Sequence, residues 1–314
     1  MNPLPFRPLA LPDKLLIERY VFPSQRQNCD LSFMNLMAWR FLYDTEICEY
    51  RGWLCFRFYA EKHLAYLTPI GGSDFSEILP LLQADAHARG HAFLLLGVGE
   101  AERGALLRCL PDGYAATPNR DYSDYIYLRS TLASLAGKKM QAKRNFAYRF
   151  ERNYPDYTFS PLQAADIPDC LSLSEQWERE QQQAGRSDTA DKEQCALRTV
   201  FSHWEALGGR GGVVRVKGRL VAFTYGAPIN RDTFDICAEK ADRTFEGAYA
   251  IVNRDFARSL PDQYVYINRE EDLGLEGLRH AKLSYHPHLL LKKYHIMPKS
   301  LSPARPEPQP TTKE

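Results

Sequence analysis

The amino-acid sequence predicts an α+β fold of two consecutive halves, each a mostly antiparallel mixed sheet flanked by helices. The 314 residues are 44% apolar and 25% charged, a composition typical of a globular chain with sizeable cores. Strand-like and helical runs alternate along the chain. Their order (helix, antiparallel strands, helix, strand, helix or turn, strand) occurs twice, although we find no sequence identity between the halves.

The first half opens with a segment of helical spacing, in which Phe33, Leu36 and Met37 share a face. Three runs separated by short polar turns follow and predict an antiparallel meander. Asp74 is placed to cap the next helix and Gly90 to end it. The predicted elements are a helix over 31–44, strands over 45–52, 53–61 and 63–71, a helix over 74–90, a strand over 92–99, a short helix over 100–110 and a strand over 122–130.

The second half opens with two helices and a hairpin that turns at Lys217-Gly218. The predicted elements are helices over 165–183 and 191–209, strands over 212–218, 219–229 and 233–241, a helix over 246–260, a strand over 263–270, a short helix over 276–285 and a strand over 286–297. A Pro-rich polar tail over 300–314 is predicted to be disordered.

Charge and cysteine content exclude several classes of protein. The formal net charge is +1, so attraction to nucleic acid or an anionic membrane must come from a local patch. No apolar run approaches the roughly 18 residues of a membrane span, and the proline-broken start does not resemble a secretory signal. The seven cysteines form no Cys-x-x-Cys pair, which favours a reducing cytoplasm over a disulfide framework or a structural zinc site.

Motifs for several other chemistries are incomplete or missing. Gly97-Val98-Gly99 is followed by Glu102 where a dinucleotide fingerprint needs glycine, so no Rossmann site is predicted. His286 and His288 lack metal-ligand companions at useful spacing, and no metal site is expected. The sequence also lacks a Gly-x-Ser-x-Gly elbow and a Walker loop.

Positive charge is concentrated between the halves, in GKKMQAKRNFAYRFERNYP over 137–155. As a helix, this segment places Met140 and Phe150 on a packing face. The remaining surface presents cations and the rings of Phe146 and Tyr148, which suits phosphates and bases. The alternative is a solvated helix that joins two domains. The candidate binding residues here are Lys138, Lys139, Lys143, Arg144 and Asn145.

A second concentration of polar residues follows a short apolar strand, in YINREEDLGLEGLRHAKLSYHP over 266–287. Loops at strand ends often project into a crevice and bind ligands. Another strand ends with a Glu-Lys pair, and the helix after it offers free N–H groups to an anion. The alternative is a surface ion-pair network that caps strand ends. The candidates are Glu239, Lys240, Gly247, Tyr249, Asn268, Arg269, Glu270, Asp272, Lys282 and Tyr285.

Three stretches resemble a known family: DYIYLRSTLASLAGKKMQAKRNFAYRF, CAEKADRTFEGAYAIVNRDF and INREEDLGLEGLRHAKLSYHP. They are similar to the C-terminal catalytic domain of phosphatidylglycerol lysyltransferases, and more closely to the stand-alone bacterial proteins of that family. The resemblance covers roughly 31–297. It implies two tandem acyltransferase domains of the GNAT type, as also in the Fem peptidoglycan aminoacyltransferases. Their expected bounds are 1–136 and 156–299, joined by the basic helix over 137–155.

The family implies transfer of an aminoacyl group from aminoacyl-tRNA to an acceptor hydroxyl or amine. Fem-like proteins carry a comparable basic segment between their halves, so these cations would meet tRNA or acceptor phosphates. The chemistry needs a base or orienting carboxylate and a cation or N–H donor. Because a carboxylate beside two cations is a poor base, positioning would contribute more than proton transfer. The candidates are Glu239 or Glu270 as the carboxylate and Lys240, Arg269 or Lys282 as the electrostatic partner.

The sequence departs from the membrane enzymes of this family in two respects. Their large N-terminal membrane region is not in this sequence. Where they carry an Asp-x-x-Arg pair, this chain has Asp235 and Ala238, which weakens the case for a lipid acceptor and leaves other acceptors open.

Two alternative functions remain on the same fold. A CoA-dependent N-acyltransferase needs a pyrophosphate loop of the form Arg/Gln-x-x-Gly-x-Gly/Ala; Arg243 and Ala248 fit it, but Glu246 replaces the first glycine and adds a like charge. The other alternative is a non-catalytic RNA- or phosphate-binding protein. We expect no bound cofactor, since the donor is aminoacyl-tRNA or, in the alternative, a CoA thioester. The expected location is cytoplasmic, with peripheral membrane contact open.

Overall fold

The structure, a computed structural model, describes residues 3–183 and 190–301. Within this part the chain forms eleven α-helices: α1 (Lys14–Ser24), α2 (Phe33–Tyr43), α3 (Leu79–Ala88), α4 (Glu100–Arg108), α5 (Arg129–Ser134), α6 (Gln141–Asn153), α7 (Ile167–Gln183), α8 (Ala190–Ser202), α9 (Trp204–Leu207), α10 (Ala248–Ser259) and α11 (Glu276–Leu283). None of the described helices is long and apolar enough to cross a bilayer. The predicted tail lies outside the described residues from position 302 onward.

The strands of the described part range from two to fifteen residues in length. They are β1 (Arg7–Pro8), β2 (Glu46–Tyr50), β3 (Trp53–Ala60), β4 (His63–Leu67), β5 (Ile70–Gly71), β6 (Leu95–Gly99), β7 (Tyr114–Leu128), β8 (Thr158–Pro161), β9 (Arg210–Val216), β10 (Arg219–Pro228), β11 (Thr233–Ala241), β12 (Tyr266–Asn268) and β13 (Leu289–Pro298).

All thirteen strands belong to one mixed sheet. Its order is β1-β2-β3-β4-β6-β13-β7-β12-β11-β10-β9-β8, with β5 paired to β3. Two of the pairings are parallel, β4 with β6 and β11 with β12, and the other pairings are antiparallel. The predicted α+β class, with a mixed sheet flanked by helices, is therefore confirmed, and so is the meander of β2, β3 and β4.

The last strand crosses from the second half of the sequence into the first half of the sheet. β13 lies between β6 and β7, and β7 in turn pairs with β12. The sheet is thus continuous between the halves, and two separate domains are not evident from it. The domain bounds 1–136 and 156–299 stay a prediction. β13 lies within the second range but pairs with β6 and β7 of the first.

Three hydrophobic cores support the sheet. The first joins both halves, because Met34 and Met37 of α2 pack in one cluster with Leu197 and Val200 of α8. The second lies under α5, α6 and α10, and the third lies under α3 and α4, where Ile296 of β13 is buried. A core that draws side chains from both halves ties the halves together across the face that α2 and α8 cover.

Four elements were not anticipated from the sequence: α1, β1, α5 and β8. α1 was obscured by the prolines around it, and Pro23 lies inside the helix. Ile17 and Val21, four residues apart, are buried on the inner face of α1. This spacing is a helical signal, but the neighbouring prolines make it hard to recognise in the sequence. β7 also begins at Tyr114, eight residues before the predicted start, because its first part pairs with the end of β13.

Candidate active site

The candidate site lies where the parallel strands β11 and β12 separate. They pair over three residues, from Thr233 opposite Tyr266 to Asp235 opposite Asn268. Beyond that point β11 continues to Glu239, while the chain after β12 turns away at Arg269. Arg269 Nη2 donates to Glu239 Oε1 across the gap at 2.9 Å. An opening between strands in the middle of a sheet exposes side chains that are otherwise in the core.

Two elements hold the Glu239 carboxylate. Besides Arg269, Asn253 of α10 donates from Nδ2 to Glu239 Oε2 at 3.1 Å. Asn253 was not singled out from the sequence, because an asparagine in an amphipathic helix carries no distinctive signal. Both carboxylate oxygens are thereby fixed, so Glu239 is an oriented group.

Arg269 is a largely enclosed cation, with 12% of its side chain exposed, and one of its donors has no partner. Its guanidinium lies 4.9 Å from the ring centre of Tyr285 and 5.7 Å from that of Tyr127. Burial lowers its pKa, but Glu239 and the two tyrosines outweigh burial, and the pKa of Arg269 is raised. Its Nη1 is buried and has no hydrogen-bond partner among the described residues. A buried donor without a partner is costly in a folded protein, so this atom is placed to bind an acceptor.

Two lysines surround this arginine. Lys143 of α6 places Nζ 4.2 Å from the ring centre of Tyr285, and burial followed by the charge of Arg269 lowers its pKa. Lys282 of α11 donates to the carbonyl oxygens of Arg269, at 2.5 Å, and of Glu271. Burial lowers the pKa of Lys282 as well. Three cations and one carboxylate make the site suited to an anion or a developing oxyanion.

Glu270 and Asn268 fall outside this group. Glu270, at a φ of 55°, accepts from Asn35 of α2 at 2.9 Å. Asn268 is fully buried and donates to Asp124 at 2.9 Å. Its Oδ1 accepts from the backbone N–H of Glu270, so Asn268 shapes the loop after β12.

Asp272, Tyr285 and Tyr249 have different environments. Asp272 is fully buried and accepts from Arg120, from Arg279 and, at 2.5 Å, from the Tyr125 hydroxyl, so it belongs to an internal ion network. Tyr285 is buried beside Arg269 and lines the site with its ring. Tyr249, in the first turn of α10, is half-buried, and burial raises its pKa.

Lys240 does not join the site. Its Nζ pairs with Glu193 of α8 at 2.7 Å and lies 3.6 Å from the ring centre of Trp177. Successive side chains of a strand point to opposite faces of the sheet, so Lys240 turns toward α7 and α8 when Glu239 turns toward α10.

Some residues of the basic segment form contacts within the protein, and others are exposed to solvent. Lys138 and Lys139 lie in the turn before α6 and are exposed, and Asn145 is exposed on the helix. Arg144 donates to the carbonyl oxygens of residues 135 and 137, which ties it to the preceding turn. Arg149 pairs with Glu246 at 2.8 Å. A helix is confirmed here, and its exposed cations are a subset of those that the sequence offered.

Gly247 is required for close packing. Its φ is 93°, and a Cβ at this position would lie 2.3 Å from the carbonyl oxygen of Phe146. A side chain there would collide with α6 and would also force an unfavourable backbone conformation. The N-terminal end of α10 is therefore packed against the basic helix on this side, where the sequence suggested an anion site.

A buried charge cluster beside the site was missed from the sequence. Lys293 of β13 contacts Asp30 at 2.7 Å, Asp124 of β7 at 2.7 Å and Glu271 at 3.0 Å. Burial lowers the pKa of Lys293, but the three carboxylates outweigh it and the pKa is well above its usual range. The sequence signal for this cluster is a lysine and an aspartate inside strongly apolar strand runs, a pattern that ordinary strands also show.

The chain is similar to known proteins in both sequence and structure. The sequence model of the family described as phosphatidylglycerol lysyltransferase, C-terminal, matches residues 22–297. A search of curated proteins gave no match. Among solved structures, a conserved protein of unknown function from Bacteroides thetaiotaomicron is 46% identical with a TM-score of 0.91, and the match covers 94% of this chain and 100% of that chain.

Two more distant structures share the fold. The C-terminal domain of a protein described as a lysylphosphatidylglycerol synthetase, from Agrobacterium fabrum, is 12% identical, with a TM-score of 0.63 and 92% of each chain covered. FemX is 9% identical, with a TM-score of 0.57 and a match over 92% of this chain and 96% of that chain. At these identities the likeness shows the α+β, GNAT-like fold and nothing further.

Proposed function

The chain belongs to the family of phosphatidylglycerol lysyltransferase C-terminal domains, and from that premise we propose that it transfers an aminoacyl group from aminoacyl-tRNA to a hydroxyl or amine acceptor. The observation that carries the proposal is the buried, unpartnered Nη1 of Arg269 in a cationic gap of the sheet. The site would hold the ester carbonyl of the donor there.

In the proposed reaction the acceptor oxygen or nitrogen attacks the ester carbonyl carbon. A bond forms between acceptor and carbonyl carbon, and the bond from that carbon to the tRNA ribose oxygen breaks. The acceptor's proton ends on the ribose oxygen. Negative charge develops on the carbonyl oxygen, and a fixed guanidinium donor in a site shielded from water stabilises that charge most. Arg269 Nη1 would be this donor.

Glu239 would act by orientation. Its two oxygens are bound by Arg269 and Asn253, so it keeps the guanidinium plane in place and presents a carboxylate edge to an approaching amine or hydroxyl. Holding donor and acceptor in a reactive geometry accounts for a large share of the acceleration in such transfers. The Tyr127 and Tyr285 rings flank the guanidinium and restrict its movement.

The donor tRNA would approach along α6. Lys138 and Lys139 are exposed in the turn before this helix, and Phe146 and Tyr148 expose 37% and 58% of their surface. Exposed aromatic rings among cations suit a single-stranded acceptor end. Lys143 of the same helix reaches the site, so the surface that would bind phosphates adjoins the group that would bind the ester.

The acceptor would have an apolar part. Five leucines of the segment that includes α11 and the start of β13 expose 37 to 57% of their surface, namely Leu273, Leu275, Leu278, Leu283 and Leu289. Exposed apolar groups concentrated in one segment commonly mark an interaction surface. Lys282 in the same segment contacts the backbone of Arg269, so the leucines lie near the proposed reaction centre.

If the Leu275→Asp/Leu278→Asp variant transfers to lipid acceptors as fast as the wild type, the apolar acceptor is excluded.

The CoA-dependent alternative gains no support from the helix start that it requires. Glu246 pairs with Arg149, and the backbone of Phe146 packs against Gly247. Binding of acetyl-CoA at micromolar affinity, measured by calorimetry, would reverse this preference.

The test uses bacterial tRNA charged with labelled amino acids, with lipid extract and soluble amines as acceptors. Arg269→Met should reduce transfer about 100-fold, the usual cost of removing an oxyanion donor, and should change tRNA affinity less than about twofold. Arg198→Met, which removes an exposed arginine of α8, is the matched control and should be active. Wild-type rates in Arg269→Met would overturn the assignment. If the wild type binds tRNA but transfers no amino acid, the non-catalytic alternative is favoured.

A further inference from the structure

A second group of side chains lies on the α2 side of the same strand gap. Asp235 and Cys237 come from β11 and Glu270 from the loop after β12, and one ligand atom from each lies within 4.8 Å of the others. Cys237 Sγ is 3.6 Å from Asp235 Oδ2. We propose that Asp235, Cys237 and Glu270 bind a divalent transition-metal ion of the zinc type. The proposal does not depend on the transfer reaction.

A β-bulge places the cysteine. In the pairing of β10 with β11, Tyr225 lies opposite Ala238 and Gly226 opposite Ile236, which leaves Cys237 as an extra residue without a partner on β10. Bulges re-aim side chains and are frequent beside functional sites. Here the bulge leaves Asp235 and Cys237 adjacent, and Cys237 packs against the core that contains α2.

An unpartnered carboxylate oxygen points to a missing cation. Asp235 is fully buried, and its Oδ1 has no hydrogen-bond partner among the described residues. The hydroxyl of Ser32, fully buried at the start of α2, faces Asp235 and Cys237. A buried carboxylate oxygen without a partner is costly unless something binds it.

A second triad in the same protein provides a comparison. Cys29, Asp124 and Glu271 have the same ligand types and comparable spacing. The Lys293 ammonium contacts the two carboxylates at 2.7 and 3.0 Å and lies 3.5 Å from the sulfur. That triad is neutralised by a lysine. The Asp235 triad has no lysine or arginine among its described hydrogen-bond partners. Lys282 lies near Glu270, but its ammonium donates to the backbone carbonyls of Arg269 and Glu271. Buried carboxylates require a cation or protonation.

The ligand set selects the kind of metal. One thiolate with two carboxylates suits zinc or cobalt better than magnesium or calcium, which prefer oxygen alone. Tetrahedral zinc would hold its ligand atoms roughly 3.5 Å apart, and Cys237 Sγ already lies 3.6 Å from Asp235 Oδ2. Cys237 and Glu270 are half-buried, which provides a path of entry from solvent.

The experiment is a cobalt titration of the full chain after chelator treatment. We expect one equivalent of Co²⁺ to give a near-ultraviolet thiolate-to-cobalt band that Zn²⁺ displaces. Cys237→Ser should abolish the band, and Asp235→Asn and Glu270→Gln should each weaken cobalt binding at least tenfold. Cys195→Ser, which alters an exposed cysteine of α8, is the matched control and should keep the band.

Two results overturn the proposal. One is a wild-type protein that shows no band. The other is a band that persists in Cys237→Ser, which would locate the metal elsewhere. If Cys237→Ser does not fold, the half-buried Glu270→Gln still decides the matter, because unchanged cobalt affinity in that variant contradicts the assigned ligand set.

Discussion

At the scale of single residues, the protein has two kinds of enclosed charged group. In one kind the charge is fully hydrogen-bonded, and in the other a polar atom is left without a partner. Asp272 accepts hydrogen bonds from Arg120, Arg279, Tyr125 and the backbone N–H of Gly274. Arg269, by contrast, retains an unpartnered donor. The first arrangement stabilises the fold, whereas the second is useful only when a ligand supplies the missing acceptor.

Asp272→Asn should destabilise the protein in a pH-dependent way. Burial raises the pKa of Asp272, but its hydrogen bonds to Arg279, Tyr125 and Gly274 outweigh burial and hold the pKa well below its usual range. A carboxylate with a depressed pKa stabilises the folded state above the unfolded pKa, near 4, and that contribution is lost as the pH falls toward the folded pKa. We expect a loss of about 2 kcal/mol at pH 7, less than for a fully buried pair because the arginines are partly exposed, and a shrinking difference below about pH 4.

Chemical denaturation at several pH values measures this effect. Asp121→Asn is the matched control, because Asp121 is the half-exposed second partner of Arg279. Its loss should be less than about 1 kcal/mol, as is usual for exposed ion pairs. Equal stability of wild type and Asp272→Asn at pH 7 would show that the network contributes nothing to folding.

At the scale of elements, the short parallel pairing of β11 and β12 creates both proposed sites. On the side of α10, Glu239 of β11 meets Arg269 from the loop after β12. On the side of α2, Asp235 and Cys237 of β11 meet Glu270 from the same loop. The bulge at Cys237 and the positive φ of Glu270 supply the irregular backbone that this division requires. α6 then brings Lys143 to the first of these groups.

Lys138→Gln/Lys139→Gln should weaken tRNA binding through loss of phosphate contacts. Both lysines are exposed at the start of the basic helix. Each phosphate contact contributes about 0.7 to 0.9 to the slope of log affinity against log salt, so the double variant should lower the magnitude of that slope by about 1.5. Fluorescence anisotropy of labelled tRNA at increasing KCl concentrations measures the slope.

A charge-matched control separates local contacts from net charge. Lys62→Gln/Lys217→Gln removes two exposed lysines from hairpin turns and the same total charge. If this control lowers the slope as much as the α6 variant does, the basic helix is not the tRNA surface.

At the scale of the whole molecule, the sheet joins the two halves of the sequence into one continuous layer. β13 contributes Tyr294 and Ile296 to the core under α3 and α4, although it comes from the end of the described chain. The core between α2 and α8 also draws on both halves. Folding of either half therefore depends on strands and side chains that the other half supplies.

The segment 1–136 expressed alone should fail to fold cooperatively. It lacks β13, so β6 and β7 lose the strand between them and the third core is left open. Thermal unfolding followed by circular dichroism should show no cooperative transition for this segment. The chain ending at residue 301, which retains β13, should unfold cooperatively as the full chain does. A sharp transition in the short segment would instead support an independent N-terminal domain.

The sequence by itself determined the class of the fold, most of its elements and the family. Helical spacing around Phe33, the runs of the meander and the turn at Lys217-Gly218 are local signals, and local backbone preferences dictate such elements. The density of polar residues around Arg269 is enough to indicate a site, because a hydrophobic core rarely contains so many charged side chains.

Only the tertiary structure decided which of these residues meet. The pairing of Glu239 with Arg269, the departure of Lys240 toward α8 and the insertion of β13 between β6 and β7 depend on where the strands diverge and which face each side chain takes. A shift of one residue in a strand reverses that face, and a bulge such as the one at Cys237 leaves little trace in the sequence. Contacts between residues far apart in the chain are fixed by packing of the whole sheet, which no single segment encodes.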